Sequence, residues 1–225
     1  GRARVSAVTK RVFALWGTTD LLDPRLRDHL AAAGVRRVQL NVRDAAVDGA
    51  LALEHLEHPI AALVSTWDGD ADQIITALAG VADEVTGWDV DERTPLDPPQ
   101  VADGERADAL ANVALIRRPA DLAYDAWLEH WHGRHTEVAI ATQGTFGYVQ
   151  NRVLGPATPE APAVDAIVEE LFPSNAVSDV HAFYGSGGDD AELTRRITEL
   201  MESVAVLGAD QRIDLVPTGR YVFTL

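Results

Sequence analysis

Three of the seven histidines fall within six residues, His130-Trp131-His132-Gly133-Arg134-His135. Imidazole titrates nearest neutrality of all side chains, so such a cluster suits metal ligation or proton transfer. The H-x-H-x-x-H spacing is one from which metal-dependent hydrolases draw ligands. Here, however, Arg134 stands where an acidic residue would be needed, and its fixed positive charge opposes a cation. Periodicity puts the segment in a helix, where His130 and His132 lie about 200° apart around the axis and cannot share an ion. No carboxylate and histidine group elsewhere in the sequence completes a coordination shell. The sequence therefore predicts no metal and no cofactor.

The same angular argument separates the histidines. Tyr124, Trp127, Leu128, Trp131 and Val138 share an apolar arc of about 100°. His135 falls near its middle, His132 at its edge, and His130 points away, toward solvent or a surface hydrogen bond. A distortion at Gly133 would shift these angles. Two readings of His135 stand: a core histidine bonded to a carbonyl, or a neutral imidazole that relays a proton beside Trp127 and Trp131.

Further candidates lie downstream. In Phe146-Gly-Tyr-Val-Gln-Asn-Arg-Val, Tyr148 and Asn151 occupy opposite faces of a strand. Tyr148, sharing its face with Gln150 and Arg152, is either a hydrogen-bond donor to a developing oxyanion or a core tyrosine. Asn151 either orients a substrate carbonyl or is a polar residue near a turn. His181, close to Phe183 and Tyr184, belongs either to a lid carrying a second proton-transfer group or to a surface loop. Asp165 and Glu169 alternate with Ile167 and Leu171 and are either partners for His135 or a solvated face. The glycines of Gly185-Ser-Gly-Gly-Asp-Asp190 precede a helix, but they lack the lysine of a phosphate loop. Asp189 or Asp190 reads as the helix cap.

The elements that must position these residues are legible from periodicity. Strands are expected over 11–17, 36–44, 58–68 and, more weakly, 86–96, with helices over 23–35 and 70–85. After a Pro- and Asp-rich linker at 97–108 the order repeats. Strands fall over 111–119, 146–155, 164–172 and 212–223, a helix over 122–132 reaching toward 141, a helical stretch around 174–184, and a helix over 189–207. Two βαββαβ units in tandem predict an α+β chain of ferredoxin-like repeats, 1–97 and 109–225, whose sheets pack together as a single-chain pseudo-dimeric α/β barrel.

Composition narrows the function class. The 225 residues carry 19 basic against 35 acidic side chains, a formal charge of −16, which disfavours nucleic acid and anionic membrane surfaces. The absence of cysteine removes disulfides and thiolate chemistry. No apolar run approaches the roughly 18 residues of a membrane span, and a cytoplasmic location is the expectation. The chain opens on Gly1 rather than Met, so a short preceding segment is expected. Lys10 as the single lysine suits the coding bias of a GC-rich, bacterial genome.

From Asn112 onward the chain resembles the EthD-domain family. The matching residues are the Arg-Pro loop and His-Trp helix of 117–135, Tyr-Val-Gln-Asn at 148–151, and Val-Asp-Ala-Ile-Val-Glu-Glu-Leu-Phe at 164–172. Ala166 replaces a usual Gly, and Leu171 a frequent Trp. The first half shows no counterpart of the His-Trp helix. The resemblance implies a dimeric α/β barrel with an internal apolar pocket in the second half. It further implies a cofactor-independent lyase or isomerase acting on an aromatic or polyketide-like molecule. His135 would serve as acid/base and Tyr148 as oxyanion partner, with Trp127, Trp131, Asn151, His181 and Tyr184 around the substrate, in a chain that could form a homodimer. Two alternatives follow from the same resemblance: a non-catalytic accessory protein of a P450 monooxygenase system, and a haem protein.

Overall fold

A computed structural model describes residues 7–225. Residues 1–6, with Gly1 and the start of the first expected repeat, lie outside the described residues. The first half runs β1 (Lys10–Trp16), α1 (Pro24–Ala32), β2 (Val35–Val42), β3 (Ala62–Asp68), α2 (Ala71–Ala79) and β4 (Glu84–Leu96). The second runs β5 (Leu110–Ile116), α3 (Tyr124–His130), a π-helical turn (Trp131–His135), α4 (Thr136–Thr142), β6 (Gly147–Pro156), β7 (Ala166–Phe172), α5 (Val180–Tyr184), α6 (Asp190–Leu207) and β8 (Asp214–Thr224).

Local chemistry sets the boundaries. Asp23 caps α1 by accepting from Arg25 N, with Pro24 in the first turn, where its missing N–H costs nothing. Asp189 caps α6 through Ala191 N and Glu192 N, and Gly208 ends that helix with a left-handed φ of 79°. β4 was expected to be the weakest strand, yet it spans 13 residues. Its outward face is polar, with Asp89 paired to Arg11 and Asp91 to Arg152, so the apolar signal of a strand is missing.

All eight strands close into one antiparallel barrel in the order β1-β3-β2-β8-β5-β7-β6-β4. Within each half the order is fourth, first, third, second, and the halves join at β2–β8 and β4–β6. One end of the interior is apolar, around Val12, Leu63, Trp88, Leu115 and Ile167. The other end holds a buried ion pair, Arg220 Nε donating to Glu169 Oε1 at 3.1 Å. Asn41 and Gln39 donate to the second carboxylate oxygen at 2.6 and 3.0 Å. Glu169 is thus neither solvated nor a partner of His135, as the two sequence readings had it. A buried carboxylate must be paired, and Arg220 supplies the charge from β8.

Helices cover the outer face of both halves of the barrel. In the first half Leu26, Leu30, Ile74 and Leu78 pack on Phe13, Leu15, Leu40 and Val64. In the second half Trp127, Trp131, Val138, Leu200 and Leu207 pack on Ile116, Tyr148, Ala166 and Val168. Here the layers do not meet everywhere, and a cavity lies between them. No described helix is long and apolar enough to cross a membrane.

Candidate functional site

The histidine segment is not an ordinary helix. Between α3 and α4 the residues Trp131–His135 form a π turn with i→i+5 hydrogen bonding. Thr136 reinforces it, its hydroxyl donating to the Trp131 carbonyl at 2.7 Å. Gln150 Nε2 in turn donates to that hydroxyl at 2.8 Å, fixing the turn to β6. In an α-helix, residues five apart would stand about 140° apart. The widened turn instead brings the His130 and His135 rings to 6.1 Å, both on one side.

Both histidines meet Ser203 of α6. His135 Nδ1 lies 2.9 Å from Ser203 Oγ, and His130 Nε2 lies 3.1 Å from the Ser203 carbonyl. The expectation that His130 points away is therefore corrected: the π turn at exposed Gly133 rotates it toward α6. The cluster divides as one serine site and one outlier, His132, which lies against Trp131 with ring centroids 4.7 Å apart. Among the described residues no group of three or more His, Asp or Glu side chains converges as a metal site.

His135 lines the cavity between helices and sheet, which has a volume of about 200 Å³. Its floor is one face of three strands, with Asn112, Ala114 and Ile116 from β5, Val168, Glu170 and Phe172 from β7, and Tyr148 from β6. α6 gives Leu200, Met201, Val204 and Leu207; α5 gives Phe183 and Tyr184; Gln143 follows α4. The rim comes from the first half: Leu51 and Leu53, 66% and 41% exposed, lie over it. Leu53 is held there by paired backbone hydrogen bonds to Leu215, 2.9 and 3.1 Å.

Three polar side chains form a row across this apolar floor. Asn112 is the cross-strand partner of Glu170, and Glu170 of Tyr148. The amide of Gln143, turned so that its nitrogen meets acceptors, donates to Glu170 Oε2 at 2.8 Å and to the Ala139 carbonyl at 3.1 Å. Asn112 makes no side-chain hydrogen bond among the described residues, and its Oδ1 is buried without a partner.

Burial governs the titration of the row. Glu170 is half-buried on the cavity floor, and desolvation pushes its carboxyl up to about 8. Tyr148 is raised above its ordinary value by burial and then by the Glu170 charge, which outweigh the Gln150 amide, the Trp131 indole and Arg93. Burial, aided by His130, lowers His135 to about 4, so its imidazole is neutral at physiological pH. The cavity thus holds a neutral imidazole and a carboxyl poised near neutrality, groups whose protonation the environment has driven apart.

Of the residues singled out from sequence, His135, Tyr148 and Tyr184 line this cavity. Trp127 and Trp131 are fully buried behind it in the helix–sheet core, Trp127 Nε1 donating to the Leu207 carbonyl at 3.0 Å. Asn151 projects to the opposite side of β6, into the barrel, where its Nδ2 donates to the Ile167 carbonyl at 3.0 Å. His181 lies outside the cavity, its Nδ1 2.6 Å from Ser186 Oγ and its Nε2 3.2 Å from Asp190. Sequence reading missed Glu170, Asn112, Gln143 and Ser203. One signal was present: Glu170 is the only charged residue in the alternating set Ala166, Val168, Glu170, Phe172.

The fold has solved counterparts. An anthrone oxidase-like protein superposes with a TM-score of 0.54 at 7% identity, over 96% of this chain and 92% of that one. A "putative monooxygenase" from Lactobacillus acidophilus superposes with a TM-score of 0.51 at 9% identity, over 96% of both. The likeness runs over nearly the whole of the α+β barrel. At such identities the likeness concerns the barrel and not the chemistry within it. No family model matches the chain, and no curated protein matches it in sequence.

Proposed function

We propose that this chain is a cofactor-independent enzyme that moves a proton on a small hydrophobic substrate, held in the cavity of its second half. Glu170 carries the reading: a carboxyl with a pKa near 8 on an apolar floor, hydrogen-bonded to Gln143 and flanked by Tyr148 and Asn112. A group that changes charge near working pH is the most effective proton carrier. Protonated, Glu170 delivers a proton to a substrate oxygen; ionised, it removes one from an acidic C–H or O–H. Tyr148 donates to the oxyanion that develops. His135, neutral and held through Nδ1 by Ser203, serves as the second acceptor.

The substrate is a one- or two-ring molecule, because about 200 Å³ falls below the range of roughly 300–1,000 Å³ typical of drug-sized pockets. Lyase or isomerase chemistry follows from proton transfer alone. The EthD-like residues at 117–135, 148–151 and 164–172 support assigning the chain to that family. On this assignment it comprises tandem ferredoxin-like repeats, 1–97 and 109–225, with the site only in the second. The names of the structural counterparts favour a second reading, oxygenation. There the same base would remove a proton from a ring CH2 activated by a neighbouring carbonyl or phenol, dioxygen would add at that carbon as a hydroperoxide, and loss of water would leave a new ring carbonyl.

Incubating the protein in deuterated buffer with 2-tetralone, a two-ring ketone with acidic C–H bonds, tests the reading by NMR. Accelerated exchange that rises through pH 8 and is lost in Glu170→Gln is expected. Binding without exchange would instead favour a non-catalytic accessory protein, and no binding would sink both.

A further inference from the structure

Asn112 is the member of the polar row whose side-chain oxygen is buried without a partner. It is 6% exposed, it lines the cavity, and no side-chain hydrogen bond reaches either amide atom among the described residues. A buried amide left without partners costs stability, so such a group is normally satisfied. Glu170, its cross-strand neighbour, is already engaged by Gln143 on the helix side. A buried acceptor without a partner therefore lies at Asn112, next to the ionisable carboxyl.

Resting on the proposed proton-transfer function, we infer that Asn112 is a specificity residue that reads a ring hydroxyl, and that the substrate class is 1,3-dioxygenated rings. The spacing supplies the pattern. Cross-strand partners stand about 5 Å apart, a separation that two ring oxygens in a 1,3-relation share. With one oxygen at Glu170, the second falls at Asn112, whose Oδ1 accepts its proton and whose Nδ2 can donate to the keto tautomer. Ala114 and Ile116, which follow Asn112 on the same face of β5, leave only apolar surface beyond it. An oxygen placed further round the ring would meet no partner there and would lose its water.

Anaerobic titration calorimetry with 1-naphthol, 1,3-dihydroxynaphthalene and 1,5-dihydroxynaphthalene tests this. The wild type should bind the 1,3-isomer at least about tenfold more tightly than either other ligand, within the range expected for satisfying a buried polar group. Asn112→Leu should abolish the preference while keeping 1-naphthol affinity within about twofold; Asn112→Ala serves if the larger side chain disturbs folding. Equal binding of the two diols by the wild type, or a preference that survives in the variant, overturns the inference and leaves the proton-transfer reading standing. Failure of all three naphthols and of 2-tetralone to bind would overturn both.

Discussion

Tyr148 and Glu170 stand directly opposite one another on β6 and β7, a phenol and a carboxyl sharing one apolar cavity. Each is harder to ionise for being there, and ionisation of Glu170 makes that of Tyr148 harder still. The pair can therefore hold one negative charge readily and two only at great cost. That restriction suits a site that moves a single proton.

Glu170 links stability to pH. Its folded-state value of about 8 lies above the ordinary 4.5, so between those pH values the folded state holds a proton that the unfolded chain has lost. Stability should fall as pH rises from about 5 to 8, by on the order of 1 kcal/mol per unit. Urea unfolding at a series of pH values checks this. Glu170→Gln should flatten the slope and be more stable than wild type at pH 8.5.

His135 acts at the other end. Its folded-state value near 4 lies below the ordinary 6.5, so stability should drop as pH falls from about 6.5 toward 4. Ser203→Ala leaves His135 Nδ1 without its buried partner and should cost about 1–3 kcal/mol at pH 7. Chemical denaturation at pH 7 measures the loss, and a change below 0.3 kcal/mol would mean the bond contributes nothing (about one-tenth of the upper figure).

Within the barrel, Arg220→Met strands the Glu169 carboxylate, which keeps only its amide donors. A loss of about 3–5 kcal/mol is expected. Combining it with Glu169→Gln should recover most of that loss, as thermal unfolding of the two variants would reveal.

Ala114 sits on the cavity floor between Asn112 and Ile116. Ala114→Leu should fill the space, weakening 1-naphthol binding by tenfold or more. The fold should survive, since the added methylenes enter a void and avoid the usual overpacking cost of about 1–3 kcal/mol. Calorimetry on a variant with unchanged circular dichroism would decide it.

The order of elements was legible because period-2 and period-3.6 patterns alternate cleanly through both halves. β4 was underestimated because its outer face is charged, as at Asp89 and Asp91. His135 and Tyr148 were legible as candidates because each breaks an apolar pattern with a titratable group. Glu170 breaks one too, but which face of β7 turns to the helices is decided by packing between distant segments, and neighbouring Glu169 carries the same carboxylate. The π turn left a single local trace, Gly133. Ser203, which explains why two histidines five apart converge, comes from a helix 68 residues beyond His135.

Closure of the barrel also bears on how this protein meets other molecules. Each of the eight strands has a hydrogen-bonded neighbour on both sides, so among the described residues there is no open edge to which another chain could add a strand. A homodimer must therefore be built from helix faces and loops. The exposed apolar side chains nearest the cavity, Leu51, Leu53 and Met201, are the surface such an assembly would cover. Self-association there and entry of a ligand would then compete for the same few residues.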